Sequence, residues 1–239
     1  DPAKPALRSG IVVSTDLPEA LAPGTLILVG IKPQQFDGIA ARLDALVGAD
    51  SYILSIMAGL PTGLLRKALP SAGRIIRLMP NLPVRTGQGV VLTFAENSGA
   101  IDAGAADAET VGRLLAPLGV VEALASEGQF DLGTALSGCG PAYVYRVIDA
   151  LAAAATRLGL EEGQAARLAL QTVAGAASAA AQSDVAPGVM ADLVASPGGM
   201  TRLGMDVLDA DDRLLDLLTD TLRAARDRGA ELAAASGNG

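Results

Sequence analysis

Hydrophobic positions in the first half of the chain form short continuous runs, separated by stretches with helical spacing. Four runs have the length and the β-branched content of strands. They are TLILVGI (25–31), YILSIM (52–57), RIIRLM (74–79) and VVLTFA (90–95). The first two are apolar enough to be buried on both faces. Between the runs, apolar residues recur at Phe36, Ile39, Leu43 and Leu46, and at Leu64, Leu65 and Leu69. This alternation predicts an α/β domain with a doubly wound parallel sheet.

The second half of the chain shows only helical spacing. Helices are predicted from Pro141 to near Gly159, from about Gln164 to Gln182, and through Leu214 to Leu232. No strand is predicted after residue 124. We therefore divide the chain into an α/β domain, residues 1–124, and an all-helical domain, residues 125–239. Because the helical domain has few bulky apolar side chains, we expect it to pack on a second copy of the chain.

Composition narrows the classes of partner. The formal charge is −8 and aromatic residues make up 3% of the 239 residues, so neither the basic surface nor the stacking rings of a nucleic-acid-binding protein are present. The longest apolar runs are shorter than the roughly 20 residues of a membrane span, and no signal peptide opens the chain. We expect a cytoplasmic protein with no membrane or nucleic-acid partner.

The absence of histidine limits the possible chemistry. It excludes Ser-His and Cys-His nucleophilic catalysis and every histidine-ligated metal site, and we expect no metal. The single cysteine, Cys139, excludes an internal disulfide, and we interpret it as a small packed side chain. Carboxylates, hydroxyls, lysine, backbone N–H groups and a cofactor remain.

Two neighbouring strands end in small residues. VGIKPQ (29–34) and SIMAGL (55–60) place Gly30 and Ala58 at the carboxyl ends of strands, where open α/β sheets bind ligands. The alternative for the first segment is a strand that ends at Pro33 beside a solvated Lys32. Two such ends side by side favour a shared ligand.

Glycines also precede two predicted helices. In ASPGGMT (195–201), successive N–H groups of Gly199, Met200 and Thr201 at a helix start would suit an anion the size of a carboxylate. The alternative is that Thr201 only caps the helix. The segment TALSGCGPAY (134–143) allows the same two interpretations. In LMPNLPVRTGQG (78–89), Asn81 lies between two prolines and either points into a cleft or belongs to an ordinary turn.

The chain shows no G-x-G-x-x-G phosphate loop near its start. The first sixteen residues have the pattern of the end of one strand and a short connection to the next. Three interpretations are open: an upstream strand, loop and helix lie outside the given sequence, they have been removed, or the protein never bound a dinucleotide.

Five motifs in register resemble the Δ1-pyrroline-5-carboxylate reductase family. The motifs are VGIKPQ, SIMAG, RLMPNLPVRTGQG, TALSGCGPAYVY and ASPGGMT, and the resemblance extends from about residue 10 to residue 235. It implies a Rossmann-type domain whose first strand and phosphate loop lie outside the given sequence, followed by an all-α dimerisation domain that interlocks with a partner. It also implies reduction of the cyclic imine to proline with NADPH or NADH.

The resemblance assigns residues to both ligands. The coenzyme would be lined by Gly30, Ile31, Lys32, Pro33, Ile56, Met57 and Ala58. The substrate carboxylate would be held by Ser196, Gly199, Met200 and Thr201, and the Thr201 hydroxyl would lie near the ring nitrogen as the catalytic group. Two rival hypotheses are a related hydroxyacid or imine reductase and a helical dimerisation protein without catalysis.

Overall fold

The computed structural model describes residues 14–95 and 106–236 of the chain. Five strands form one sheet in the order β1-β2-β3-β4-β5. They are β1 (Leu26–Val29), β2 (Tyr52–Ser55), β3 (Arg74–Pro80), β4 (Gly89–Ala95) and β5 (Gly119–Ala123). The four predicted strands and the α/β architecture are confirmed. The strand expected at the beginning of the chain falls in residues 1–13, outside the described part.

The sheet is mostly parallel, and one pair departs from the prediction. Strands β1, β2 and β3 are parallel neighbours, and β4 is parallel to β5, but β3 and β4 are antiparallel. The connection between β3 and β4 holds only a short 3₁₀ turn, Leu82–Thr86. A parallel pair needs a crossover connection, usually a helix, so this short connection reverses the chain direction.

In the described part of the first half of the chain, four helices accompany the sheet. They are α1 (Pro33–Asp44), α2 (Thr62–Ala68), α3 (Ala106–Leu115) and the single turn α4 (Phe130–Gly133). Helices α1 and α2 confirm the two apolar repeats that the sequence places after the first two strands. Each of them follows a strand and returns the chain to the amino end of the next one, which is the arrangement of a βαβ unit.

The sheet buries a different set of side chains on each face. Ile53 and Ile75 lie in one apolar cluster with Phe36 of α1, while their chain neighbours Leu54 and Ile76 lie in a second cluster with α3. This alternation follows from the period of two along a strand. β2 is therefore buried on both faces, as predicted.

For β1, the prediction of burial on both faces is wrong. Val29 is buried against α1, but Leu28 on the opposite face is 61% exposed. β1 lies at the edge of the described sheet, so its second face has fewer neighbours to cover it. An apolar run alone does not distinguish a central strand from an edge strand.

The described residues divide into two compact units. One comprises the described residues up to Gly133 together with those from Arg228 onward, and the other is Thr134–Asp227. The second unit holds the helices α5 (Gly140–Arg157), α6 (Glu162–Ala181), α7 (Pro187–Leu193), α8 (Met200–Asp209) and most of α9 (Arg213–Ser236). The three long helices predicted from the spacing are confirmed, and α7 and α8 are two shorter ones between them.

The second unit buries very little of its own surface. Within Thr134–Asp227, all of it described, the buried residues are Ala135, Ala165 and Ala169. Large apolar side chains such as Leu151, Leu168 and Leu193 are 47%, 51% and 76% exposed. Helices α5 and α6 pack along each other through small residues, and this leaves their larger side chains outside.

Candidate active site

The carboxyl ends of β1 and β2 bring the first set of predicted residues together. The strands are in parallel register, with Val29 opposite Ser55. The ladder continues one step further, since the Ile56 N–H donates to the Val29 carbonyl at 3.1 Å. The segments 30–33 and 56–58 therefore leave the sheet side by side, as the sequence predicts for a shared ligand.

Gly30 has no side chain, so the surface at the ends of β1 and β2 stays low at this position. Gly30 is exposed, and a Cβ placed there would lie 3.2 Å from Cδ1 of Ile56, which is tighter than ordinary contact. Ile31 and Ile56 are half-buried, and Ala58 is exposed. Met57 differs from its neighbours, because its side chain is 3% exposed and belongs to the α1 face of the core. Any ligand at this edge therefore meets Met57 through its main chain.

The second set of predicted residues forms a tight turn before α8. The Gly199 N–H donates to the Ser196 carbonyl at 2.9 Å, Pro197 follows Ser196, and Gly198 has a φ of 70°. Proline in the second position and a positive φ in the third are the features of a type II turn. The turn presents exposed backbone at the point where the helix begins.

The helix cap differs from the sequence hypothesis. Gly199 is the N-cap of α8, and the helix begins at Met200, so Thr201 is its second residue and not its cap. The first intrahelical bond is donated by Leu203 to Gly199, and the Gly199 N–H is used within the turn, so the donors at the helix start are those of Met200, Thr201 and Arg202. The Met200 and Thr201 side chains are both exposed, Met200 at 92%.

Arg202 is a residue of this region that the sequence reasoning missed. Its Nε donates to Asp206 Oδ1 at 2.8 Å, and its two terminal nitrogens reach Asp192 of α7 at 3.3 Å and Asp209 at 3.1 Å. The hydrogen bond that Arg202 donates to Asp206 raises the pKa of Arg202, and Asp209 adds to the effect. The guanidinium thus links the two helices that flank the turn. The spacing of Arg202 and Asp206, four residues apart, was the available signal.

The two other glycine-rich or proline-rich candidates have structural tasks. The Asn81 side-chain oxygen accepts the Val90 N–H at 2.9 Å and closes the β3–β4 connection, which favours the ordinary-turn interpretation. Before α5, residues Thr134–Gly138 form a π-helical turn. Cys139 is half-buried and hydrogen-bonds Tyr143. Burial, then the Cys139 thiol, raises the pKa of Tyr143.

One curated relative decides the family. The pyrroline-5-carboxylate reductase of Pseudomonas aeruginosa is 35% identical over 231 residues, which are 97% of this chain and 83% of the relative. The chain belongs to the pyrroline-5-carboxylate reductase family. A family member from Staphylococcus aureus strain COL is 31% identical over 228 residues, with 95% of this chain and 82% of the relative covered.

Solved structures and a family model agree with this assignment. A pyrroline-5-carboxylate reductase from Coxiella burnetii matches with a TM-score of 0.78 and 32% identity, over 87% of this chain and 76% of the other. The Plasmodium falciparum reductase with NADP bound gives 0.73 and 26%, over 87% and 77%. The model for pyrroline-5-carboxylate reductase dimerisation matches residues 127–232. The resemblance and the Rossmann-type fold are thereby confirmed.

The strand-end surface suits the coenzyme class of this family. A nicotinamide coenzyme needs a flat approach, apolar contacts and cationic or N–H donors for its phosphates. Gly30 would allow the first, because it is exposed and has no side chain. Ile31 and Ile56 supply apolar surface, and Lys32 is an exposed cation beside them.

The described residues contain neither a cluster of metal ligands nor a helix that could span a membrane. No group of three or more His, Cys, Asp or Glu side chains within 14–95 and 106–236 is arranged to hold a metal ion. No helix in the same part of the chain combines the length and the apolar character that crossing a membrane requires.

Proposed function

We propose that the protein reduces Δ1-pyrroline-5-carboxylate to L-proline with NADPH or NADH. The observation that carries this proposal is the match to curated pyrroline-5-carboxylate reductases over nearly the whole chain. The coenzyme is supported by the NADP of the Plasmodium falciparum relative and by the shallow surface at the ends of β1 and β2.

The strand ends hold the coenzyme in this proposal. Gly30, Ile31, Lys32 and Pro33 line it from β1, and Ile56, Met57 and Ala58 line it from β2. Lys32 precedes Pro33, the first residue of α1, and its ammonium group is exposed. The backbone of Met57 contributes, since its side chain is buried.

The turn before α8 holds the substrate carboxylate. The N–H groups of Met200 and Thr201 point out of the helix start, where the helix dipole favours an anion. Ser196 adds an exposed hydroxyl. Gly199 contributes bare backbone, because its own N–H is engaged with Ser196.

Reduction forms a C–H bond at the imine carbon, and the π electron pair of the C=N bond becomes the lone pair of the ring nitrogen, which takes a proton. The bound nicotinamide supplies the hydride. The chain's residues orient the imine, and the Thr201 hydroxyl hydrogen-bonds the nitrogen. Because the sequence contains no histidine, orientation and this hydrogen bond carry the step in place of a strong general base.

We also propose that the working form is a homodimer or a larger homo-oligomer built through the helical domain. The dimerisation model matches residues 127–232. The large apolar side chains that α5 and α6 leave exposed give this region a surface that a second copy would cover.

The deciding experiment follows the oxidation of NADPH and of NADH by full-length protein after addition of pyrroline-5-carboxylate. Rapid turnover supports the proposal. Coenzyme oxidation with another cyclic imine, or with the oxo acid that corresponds to a hydroxyacid, but not with pyrroline-5-carboxylate, would favour the related reductase. A stable dimer that binds neither coenzyme would favour the non-catalytic alternative.

The Thr201→Ala variant tests the role of the hydroxyl. We expect kcat to fall roughly 10- to 100-fold, because one hydrogen bond to the reacting nitrogen is lost in the transition state. Thr201→Ser keeps the hydroxyl and should retain most of the activity. Unchanged kcat in Thr201→Ala would remove Thr201 from the mechanism and leave the substrate assignment to the turnover assay.

A further inference from the structure

The Glu127 carboxylate joins three elements of the first unit. Its Oε1 accepts the Thr62 N–H at 2.8 Å, and its Oε2 accepts the Thr62 hydroxyl at 2.9 Å. Arg77 of β3 donates to the same Oε1 at 2.8 Å. Thr62 is the first residue of α2, so Glu127 binds the start of a helix 65 positions away in the chain.

The residues around Glu127 are buried, while the Glu127 side chain itself is 27% exposed. Arg77 and Thr62 are each 4% exposed, and Phe130 is 1% exposed. The Arg77 guanidinium carbon lies 4.0 Å from the centre of the Phe130 ring. A buried guanidinium requires a partner of opposite charge, because an unpaired buried charge is strongly destabilising. Arg77 therefore fixes where the Glu127 carboxylate stands.

Glu127 in turn fixes one end of a short connection. We call residues 56–61, which join β2 to α2, the coenzyme segment. Its amino end is anchored to the sheet, where Ile56 N–H donates to Val29 and Met57 N–H donates to Ser55 Oγ at 3.3 Å. Its carboxyl end leads directly into Thr62. Between these anchors, Gly59 has a φ of 72°.

We propose that Glu127 is a positioning residue for the coenzyme, acting through Thr62 on the coenzyme segment. The inference rests on the proposed function, which places Ile56, Met57 and Ala58 against the nicotinamide coenzyme. Glu127 touches neither ligand in this proposal. It restricts the segment before binding, and such preorganisation lowers the entropy that binding costs.

The cleanest test changes Thr62 and leaves the Arg77–Glu127 ion pair intact. Thr62→Val preserves the shape of the side chain and the hydrogen bond from the backbone N–H, but it removes the hydroxyl that donates to Glu127. We expect the Kd and the KM for NADPH to rise about threefold to tenfold, the value of one hydrogen bond, while the KM for the imine stays unchanged. Thr62→Ser keeps the hydroxyl and should restore both values. Glu127→Gln, which removes the charge, should shift them in the same direction as Thr62→Val.

The chain offers a matched control at the other end of α2. Ser71 donates its N–H and its hydroxyl to the two oxygens of Asp44, at 2.9 and 3.1 Å. The arrangement has the same chemistry as the Thr62–Glu127 pair, but it lies near the amino ends of the strands. Ser71→Ala should leave the Kd and KM for NADPH unchanged.

The outcomes separate this inference from the proposed function. A loss of folded protein lowers the apparent kcat but does not change KM, so a purely structural role predicts a lower melting temperature with unaltered coenzyme affinity. That result in Thr62→Val, or an equal effect in Ser71→Ala, would overturn the inference while the reductase assignment stands. Wild-type protein that binds no coenzyme would overturn both.

Discussion

Two adjacent glycines in the turn before α8 are needed for different reasons. Gly198 has a φ of 70°, a conformation that side chains disfavour. Gly199 has an ordinary φ of −77°, but a Cβ there would lie 2.7 Å from Ser196 Oγ and 3.0 Å from the Ser196 carbonyl oxygen. Gly198 therefore permits the turn, and Gly199 permits its close approach to Ser196.

Gly199→Ala should weaken substrate binding because the new methyl group forces Ser196 away. We expect the KM for pyrroline-5-carboxylate to rise about tenfold, as one misplaced polar contact would give, with the KM for NADPH unchanged. Gly204→Ala is the matched control, since a Cβ at Gly204 meets nothing within 4 Å. It lies inside α8 and should stabilise the protein by about 0.5–1 kcal/mol. If Gly199→Ala and Gly204→Ala had the same KM for pyrroline-5-carboxylate, the turn would be excluded from the substrate site.

At the scale of single residues, the sequence predicted exposed backbone well. It predicted the directions of side chains less well. The glycines before Met200 predicted bare backbone at a helix start, and α8 does begin there, after a turn that the sequence analysis did not specify. It did not predict that Gly199 uses its own N–H, since that depends on the turn type. Nor did it predict the burial of Met57, which follows from the direction the chain takes after β2.

At the scale of helices and strands, elements with a long apolar pattern were predictable and short elements were not. The helical spacing after Pro141 predicted α5 to within a residue at its start. β5 (Gly119–Ala123) was missed because it is short and carries the exposed Val120 and Glu122, so its pattern does not resemble a buried strand. β4 itself was predicted, but its antiparallel direction was missed because strand direction depends on the connection before it.

Helix α6 has a cap that can be tested alone. The Glu161 carboxylate accepts the Gly163 N–H at 2.7 Å and the Gln164 N–H at 2.6 Å. Glu161→Ala leaves these N–H groups without their side-chain acceptor, and we expect a loss of about 1 kcal/mol in the free energy of unfolding. Glu162→Ala removes an equal charge from the adjacent position. In denaturant titrations, equal losses in the two variants would show that charge, and not capping, matters here.

At the scale of the whole molecule, the helical region stands out because the single chain leaves many of its large apolar side chains exposed. Its buried residues are alanines, and its leucines are largely exposed. From the small number of bulky apolar side chains, the sequence predicted that this region packs on a second copy, and the dimerisation match covers the same region. The sequence did not predict that the end of α9 joins the first unit, because long-range packing leaves no local pattern.

Leu151→Asp should weaken the dimer. Leu151 is 47% exposed on α5, and a symmetric interface suffers each substitution twice, so we expect the dissociation constant to rise at least about tenfold. Val120→Asp places the same charge at a 61% exposed position outside the dimerisation match. Sedimentation of the two variants should show dissociation only in the first. A stable Leu151→Asp dimer would place the interface on other helices.

Residues 134–227 bury only alanines, so the folding of this region should depend on the protein concentration. A region that buries three alanines within its own chain gains little from the hydrophobic effect until a partner covers its leucines. We therefore expect the melting temperature to rise with protein concentration, because mass action would couple the folding of this region to self-association. Dilution should therefore destabilise this half of the molecule much as a denaturant does. The enzyme should be most stable at its highest concentration.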